Sequence, residues 1–140
     1  MLLTWLDRYR DLGLLIARIG VGVGFFYFHG YGKLASGPEG WARTGDTMAN
    51  FGITFGHMWW GLAAGLAEGV GGLLFAAGVF YRPACLALAG VMLVATVEQF
   101  GRPVPAPEHA VKNVFLFIGM LLVGPGRYSL DRLWARSRND

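Results

Sequence analysis

Four stretches of this chain are so apolar, and so long, that a lipid bilayer is the environment they fit. Leu12–Tyr31 is interrupted by one formal charge, Arg18, and Met58–Phe80 by one, Glu68. Pro83–Phe100 carries Glu98 near its end, and Pro107–Gly124 carries Glu108, His109 and Lys112 in its first turns. A bilayer core about 30 Å thick takes roughly 18 or more apolar residues at about 1.5 Å rise each. The fourth stretch has the shortest uninterrupted apolar part, and it stops at Gly124-Pro125-Gly126, where proline and glycine end a helix. The expected fold class is therefore all-α: an integral membrane, antiparallel four-helix bundle forming a single domain over 1–140.

Composition agrees. Hydrophobic residues make up 54% without the 22 glycines, whereas soluble domains reach about 45–50% with glycine counted. The mean hydropathy of +0.44 excludes a disordered chain. Glycine shows no three-residue period with proline, which excludes collagen, and in apolar helices it points to close packing in lipid. The single cysteine, Cys85, permits no intrachain disulfide, no CxxC pair and no cysteine-built zinc site. A net charge of +3 in such a chain reads as a topology signal and contact with anionic lipid, not as nucleic-acid binding.

The remaining pieces are short. Residues 1–11 mix Leu2, Leu3, Trp5, Leu6 and Tyr9 with charges, as a helix lying in the headgroups does, and do not form a secretory signal. Loop 32–56 scatters Trp41, Met48, Phe51, Ile53 and Phe55 among polar residues and reads as a short helix or a re-entrant flap on the membrane surface. The tail spans 125–140. Arg8, Arg10, Arg82, Arg127, Arg132, Arg136 and Arg138 fall on one side of the bundle, against Lys33, Arg43, Arg102 and Lys112 on the other. This seven-to-four division puts both termini in the cytoplasm.

Two groups of residues could carry chemistry. Arg18 and Glu68 are charges set in hydrocarbon, where an ion normally finds a partner or a water-filled cavity. They read either as a buried interhelical ion pair or as a Glu68 that handles protons or a polar ligand. Gly61, Gly65 and Gly69 recur every fourth residue beside Glu68, with Gly72 next in line. Gly20 and Gly24 make a second small-residue step, built for packing or for a slot that takes a flat ring or a lipid tail. The second group is a rim: His29, His57, Glu98 and Lys112 all sit at helix ends of one leaflet, joined by Glu108 and His109. There they are either solvated interfacial residues or a site where His and Glu take the proton of a quinol, with Phe25, Phe26, Trp59, Trp60 and Phe100 below. The histidines lack a fixed ligand spacing, so no metal is expected, and phosphate-loop, Ser-hydrolase and metalloprotease motifs are missing from the chain.

Three motifs resemble those of one known family. Arg18-Ile-Gly-Val-Gly with His29-Gly-Tyr-Gly-Lys33-Leu resembles the first-helix signature of the DoxX family. Glu68-Gly-Val-Gly-Gly72-Leu-Leu resembles its second-helix signature, and Gly124-Pro-Gly-Arg-Tyr-Ser-Leu-Asp131 its carboxyl-terminal one. The resemblance implies a four-helix, multi-pass protein of the bacterial inner membrane. The family is similar to the small subunit of thiosulfate:quinone oxidoreductase and is associated with redox and oxidative-stress systems. By motif, Arg18, His29, Lys33, Glu68 and Arg127 carry over as candidate functional positions; the cofactor stays open, with quinone one of the ligands compatible with them. Partners would be the lipid bilayer, redox subunits or further copies of the chain. Any enzymatic role would be that of a membrane subunit of a quinone-linked oxidoreductase. Two other classes stay open on the residues alone: a small proton-coupled transporter or channel working through Glu68, and a purely structural assembly factor.

Overall fold

The computed structural model describes residues 3–100 and 108–137. Met1, Leu2, Arg102, Pro107 and Arg138, used above for the amino end, the third loop, the start of the fourth stretch and the tail, lie outside them. Every regular element among the described residues is helical. Three helical runs, Thr4–Ala35, His57–Ala77 and Tyr81–Gln99, are long and apolar enough to cross a membrane. Helix α6 (Glu108–Val123) has 16 residues and packs along α5 (Tyr81–Gln99) as the fourth rod. At about 1.5 Å per residue it reaches roughly 24 Å, short of a typical bilayer core.

The packing places small residues inside and large ones outside. On α4 (His57–Ala77) the buried positions are Gly61, Gly65, Glu68, Gly69, Gly71, Gly72 and Phe75, while Leu66, Val70 and Leu73 stay exposed. Lipid tails are as apolar as leucine, so backbone proximity rather than burial of large side chains holds such helices together. A methyl group on Gly69 would stand 2.7 Å from Leu34 Cδ1, and one on Gly72 would stand 2.7 Å from the carbonyl oxygen of Gly22. A small apolar core remains where Phe25, Phe75, Leu88 and Phe117 meet.

The first run is not a uniform helix. A 3₁₀ turn (Thr4–Tyr9) leads into α1 (Arg10–Gly24), followed by a π-helical turn (Phe25–Gly30) and α2 (Tyr31–Ala35). The wider turn absorbs one extra residue, roughly 100° of helical phase. Gly22 and Gly30 would diverge by roughly 80° on an unbroken α-helix; here both pack against the α4 backbone.

Of its two expected forms, the 32–56 segment takes the short helix: α3 (Gly37–Gly45) and a 3₁₀ turn (Asp46–Phe51) are drawn along the amino-terminal half of α4. Gly45 and Gly61 are buried in that contact, with no room for a side chain on either, and Trp41 Nε1 donates to the Lys33 carbonyl at 2.8 Å. The turn between α4 and α5 lies at Gly78–Phe80, ahead of the expected Tyr81–Pro83. Gly78 takes φ +69° and its amide donates to Leu74 at 2.9 Å, closing α4 as left-handed glycines do.

Candidate functional site

Near the middle of α4, Glu68 is 1% exposed. At about 1.5 Å per residue it stands roughly 16 Å from the start of the helix and roughly 14 Å from its end. Its partner is Lys33, whose Nζ lies 2.6 Å from Glu68 Oε2. Gly65 permits the approach: its Cβ position is 3.3 Å from Leu34 Cδ2 and 3.4 Å from Lys33 Cβ, so a side chain larger than a methyl group there would press on α2. The Lys33 side chain remains 32% exposed. It opens on a chamber of about 490 Å³ that Ser36, Arg43, Thr44, Thr47 and Glu98 also line. A buried carboxylate is thus joined through an ammonium group to a polar cavity.

The π turn presents His29 beside this pair, within electrostatic range of Glu68 and Lys33. Its ring stacks on His109 of α6 at 5.5 Å between centroids, with Phe25 at 5.2 Å. Asn113, buried one turn on, donates from Nδ2 to the His109 carbonyl at 2.9 Å and lies 3.2 Å from His109 Nε2. Together these side chains line a cleft of about 200 Å³ between α1 and α6. Gly20 and Gly24 form its far wall; a Cβ on either would meet nothing within 4 Å. That step of small residues makes a slot and not a packing seam.

The expected Arg18–Glu68 pair is not formed. Arg18 is fully buried (0% exposed) at the other end of the bundle. There its guanidinium donates to the carbonyls of Pro125 and, at 2.7 Å, Tyr128, and lies over the Tyr81 ring. Antiparallel packing sets it against Gly78, ten residues beyond Glu68 on the same rod. The carboxyl-terminal motif is its receptor. Asp131 caps α5 by accepting from the amides of Phe80 and Tyr81 at 3.0 Å each, and Asp11 accepts from the Arg127 amide at 2.8 Å. Arg127 serves through its backbone, and its side chain is exposed.

The expected rim is dispersed in the same way. His57 Nδ1 meets Asp46 Oδ1 at 2.6 Å, and Lys112 pairs with Glu108 one turn away on an exposed face. Glu98 lines the Lys33 chamber, and His29 faces His109. Asn113, Asp46, Asp11 and the capping role of Asp131 were not expected. The last had a signal, a carboxylate shortly after the Gly-Pro-Gly break, but its receiving amides lie some fifty residues away.

The DoxX family model matches residues 13–99, from α1 to the end of α5. The chain belongs to the DoxX family. Comparison with curated proteins returned no match, and neither did comparison with solved structures. Within the matched span fall Arg18, His29, Lys33 and Glu68; the tail motif that receives Arg18 lies beyond it. This DoxX chain is thus a membrane protein with two polar centres, one of them closed by backbone carbonyls and one open to a cavity.

Proposed function

We propose that this DoxX protein is a subunit or accessory factor of a quinone-linked redox system in the bacterial inner membrane, with both termini cytoplasmic and α6 as a fourth, thinner crossing. The observation that carries the proposal is the His29–His109 stack with Asn113 at a lipid-facing cleft walled by Gly20 and Gly24. A flat quinone ring fits between glycines and aromatic rings. An imidazole beside it takes the proton that a quinol hydroxyl releases as the ring is oxidised. The two electrons pass to a redox partner subunit; of the two protons released with them, one goes through His29 to Glu68 nearby and the other through the exposed His109 to solvent. The test is binding of a quinone analogue to the detergent-purified protein by calorimetry. His29→Ala should weaken affinity at least about tenfold, or about 1.4 kcal/mol, with the melting temperature retained. Unchanged affinity in a well-folded variant would remove the quinone reading.

One observation favours a second reading. The Lys33–Glu68 pair couples the buried midpoint of α4 to a polar chamber, the arrangement that a proton-coupled transporter uses. Proton flux into liposomes that is lost in Glu68→Gln, with no quinone binding in the wild type, would decide for transport.

A further inference from the structure

The chamber beside Lys33 shares a wall with a second, apolar cavity. Thr44 and Thr47 line both. The apolar one, about 310 Å³, is a groove between α4 and α5 floored by Ala64, Ala67, Ala87 and Gly90, with Trp60 at its upper end. Small side chains create it, since a Cβ on Gly90 would meet nothing within 4 Å. Along α4 the groove runs from Trp60, near the start of the helix, to Ala67, beside the mid-depth Glu68. Head space at the helix end and tail space toward the middle is the geometry of a lipid standing in one leaflet.

The charges lining the chamber say which head it suits. Lys33 is engaged by Glu68, and the hydroxyls of Ser36 and Thr44 donate to the carbonyls of Lys33 and Gly40, which leaves Arg43 and the Thr47 hydroxyl as the donors that face the chamber. Arginine with a neighbouring hydroxyl suits a phosphodiester. On the same chamber, Glu98 presents a carboxylate. A carboxylate has about four acceptor sites, so Glu98 can take an ammonium beside the contact it already makes. We infer that this is a binding site for a zwitterionic phospholipid, phosphatidylethanolamine. Its phosphate lies against Arg43, its ammonium against Glu98, and one acyl chain lies in the Ala64–Gly90 groove. The site is separate from the His29 cleft and independent of the quinone reading.

The experiment places the full chain in nanodiscs of equal phosphatidylethanolamine and phosphatidylglycerol and weighs it by native mass spectrometry after release. Wild type should retain one phosphatidylethanolamine. Gly90→Leu and Ala87→Leu, each filling the groove, should cut the retained fraction at least about tenfold, the effect of about two lost methylene burials. Glu98→Gln should erase the preference for phosphatidylethanolamine over phosphatidylglycerol, and His29→Ala should leave retention unchanged. Circular dichroism and melting temperature confirm that the variants are folded, and two groove variants guard against the failure of one. Wild type that retains no lipid, or retains both lipids equally, overturns the inference. So does undiminished retention in a folded groove variant. A prenylated quinone held in the groove of protein purified from cells would overturn it too, and would give the groove to the quinone.

Discussion

Arg18 and Lys33 stand fifteen residues apart on one helical run, and both carry a positive charge into an apolar bundle. Their surroundings differ in every respect that matters for function. Arg18 is sealed, and its guanidinium is bound to two backbone carbonyls of the tail. Neither guanidinium nor carbonyl exchanges a proton near neutral pH. Lys33 is one-third exposed, bound to a carboxylate and open to a cavity, so a solute can reach that pair. A buried charge is therefore a candidate for function only when something can reach it. Arg18 fastens the tail to the bundle, and Lys33–Glu68 is the pair that lies open to a cavity.

That contrast breaks most visibly at Arg18. Replacing it by Met removes two charge-assisted hydrogen bonds, at about 1.5–3 kcal/mol each, and strands the Pro125 and Tyr128 carbonyls. Arg18→Met should lose at least about 3 kcal/mol in detergent unfolding, and a loss under about 1 kcal/mol would take Arg18 out of its latching role. Double-mutant cycles then sharpen the difference. Arg18→Met with Glu68→Gln should be additive to within about 0.5 kcal/mol, because the two groups share no partner. Lys33→Met with Glu68→Gln should couple by about 1–3 kcal/mol, the single changes each leaving a stranded charge or dipole that the double change relieves. Coupling in the first cycle and none in the second would reverse the assignment.

The rods themselves were legible in the sequence, because apolar length and the Gly61–Gly65–Gly69 stripe follow directly from what lipid and close packing demand. The pairings were not, for three physical reasons. Arg18 is satisfied by carbonyls, and every residue has one, so no residue type marks the acceptor. The π turn shifts helical phase between Gly22 and Gly30, so a uniform 100° wheel turns His29 and Lys33 the wrong way. The 32–56 segment reads as lying on the membrane surface because polar residues such as Glu39, Arg43 and Asp46 are scattered among its apolar ones, yet Gly40 and Gly45 are buried. The motifs, in turn, marked Arg18 and Glu68 alike, without distinguishing a charge closed by backbone carbonyls from one open to a cavity.

A smaller effect is expected at Asp131. Its carboxylate supplies the helix cap that α5 lacks locally, since Phe80 precedes the helix in a left-handed conformation with no side-chain cap. Asp131→Ala should cost about 0.5–2 kcal/mol, with faster hydrogen exchange at the Phe80 and Tyr81 amides. Unchanged exchange there would mean that the cap contributes nothing to the latch.

The smallest effect tests the rim. Lys112 and Glu108 form a pair one turn apart on a face open to solvent, where the two charges remain hydrated and salt screens them. Nothing on that face connects them to the His29 cleft except the helix they share, and Lys112 is not among the residues lining either the cleft or the Lys33 chamber. Lys112→Ala should therefore leave both the melting temperature and quinone-analogue affinity unchanged within error, at low and at high salt. If affinity falls and the loss deepens at low ionic strength, Lys112 is steering an anionic ligand toward the bundle. The working centre would then extend from Lys33–Glu68 to the start of α6.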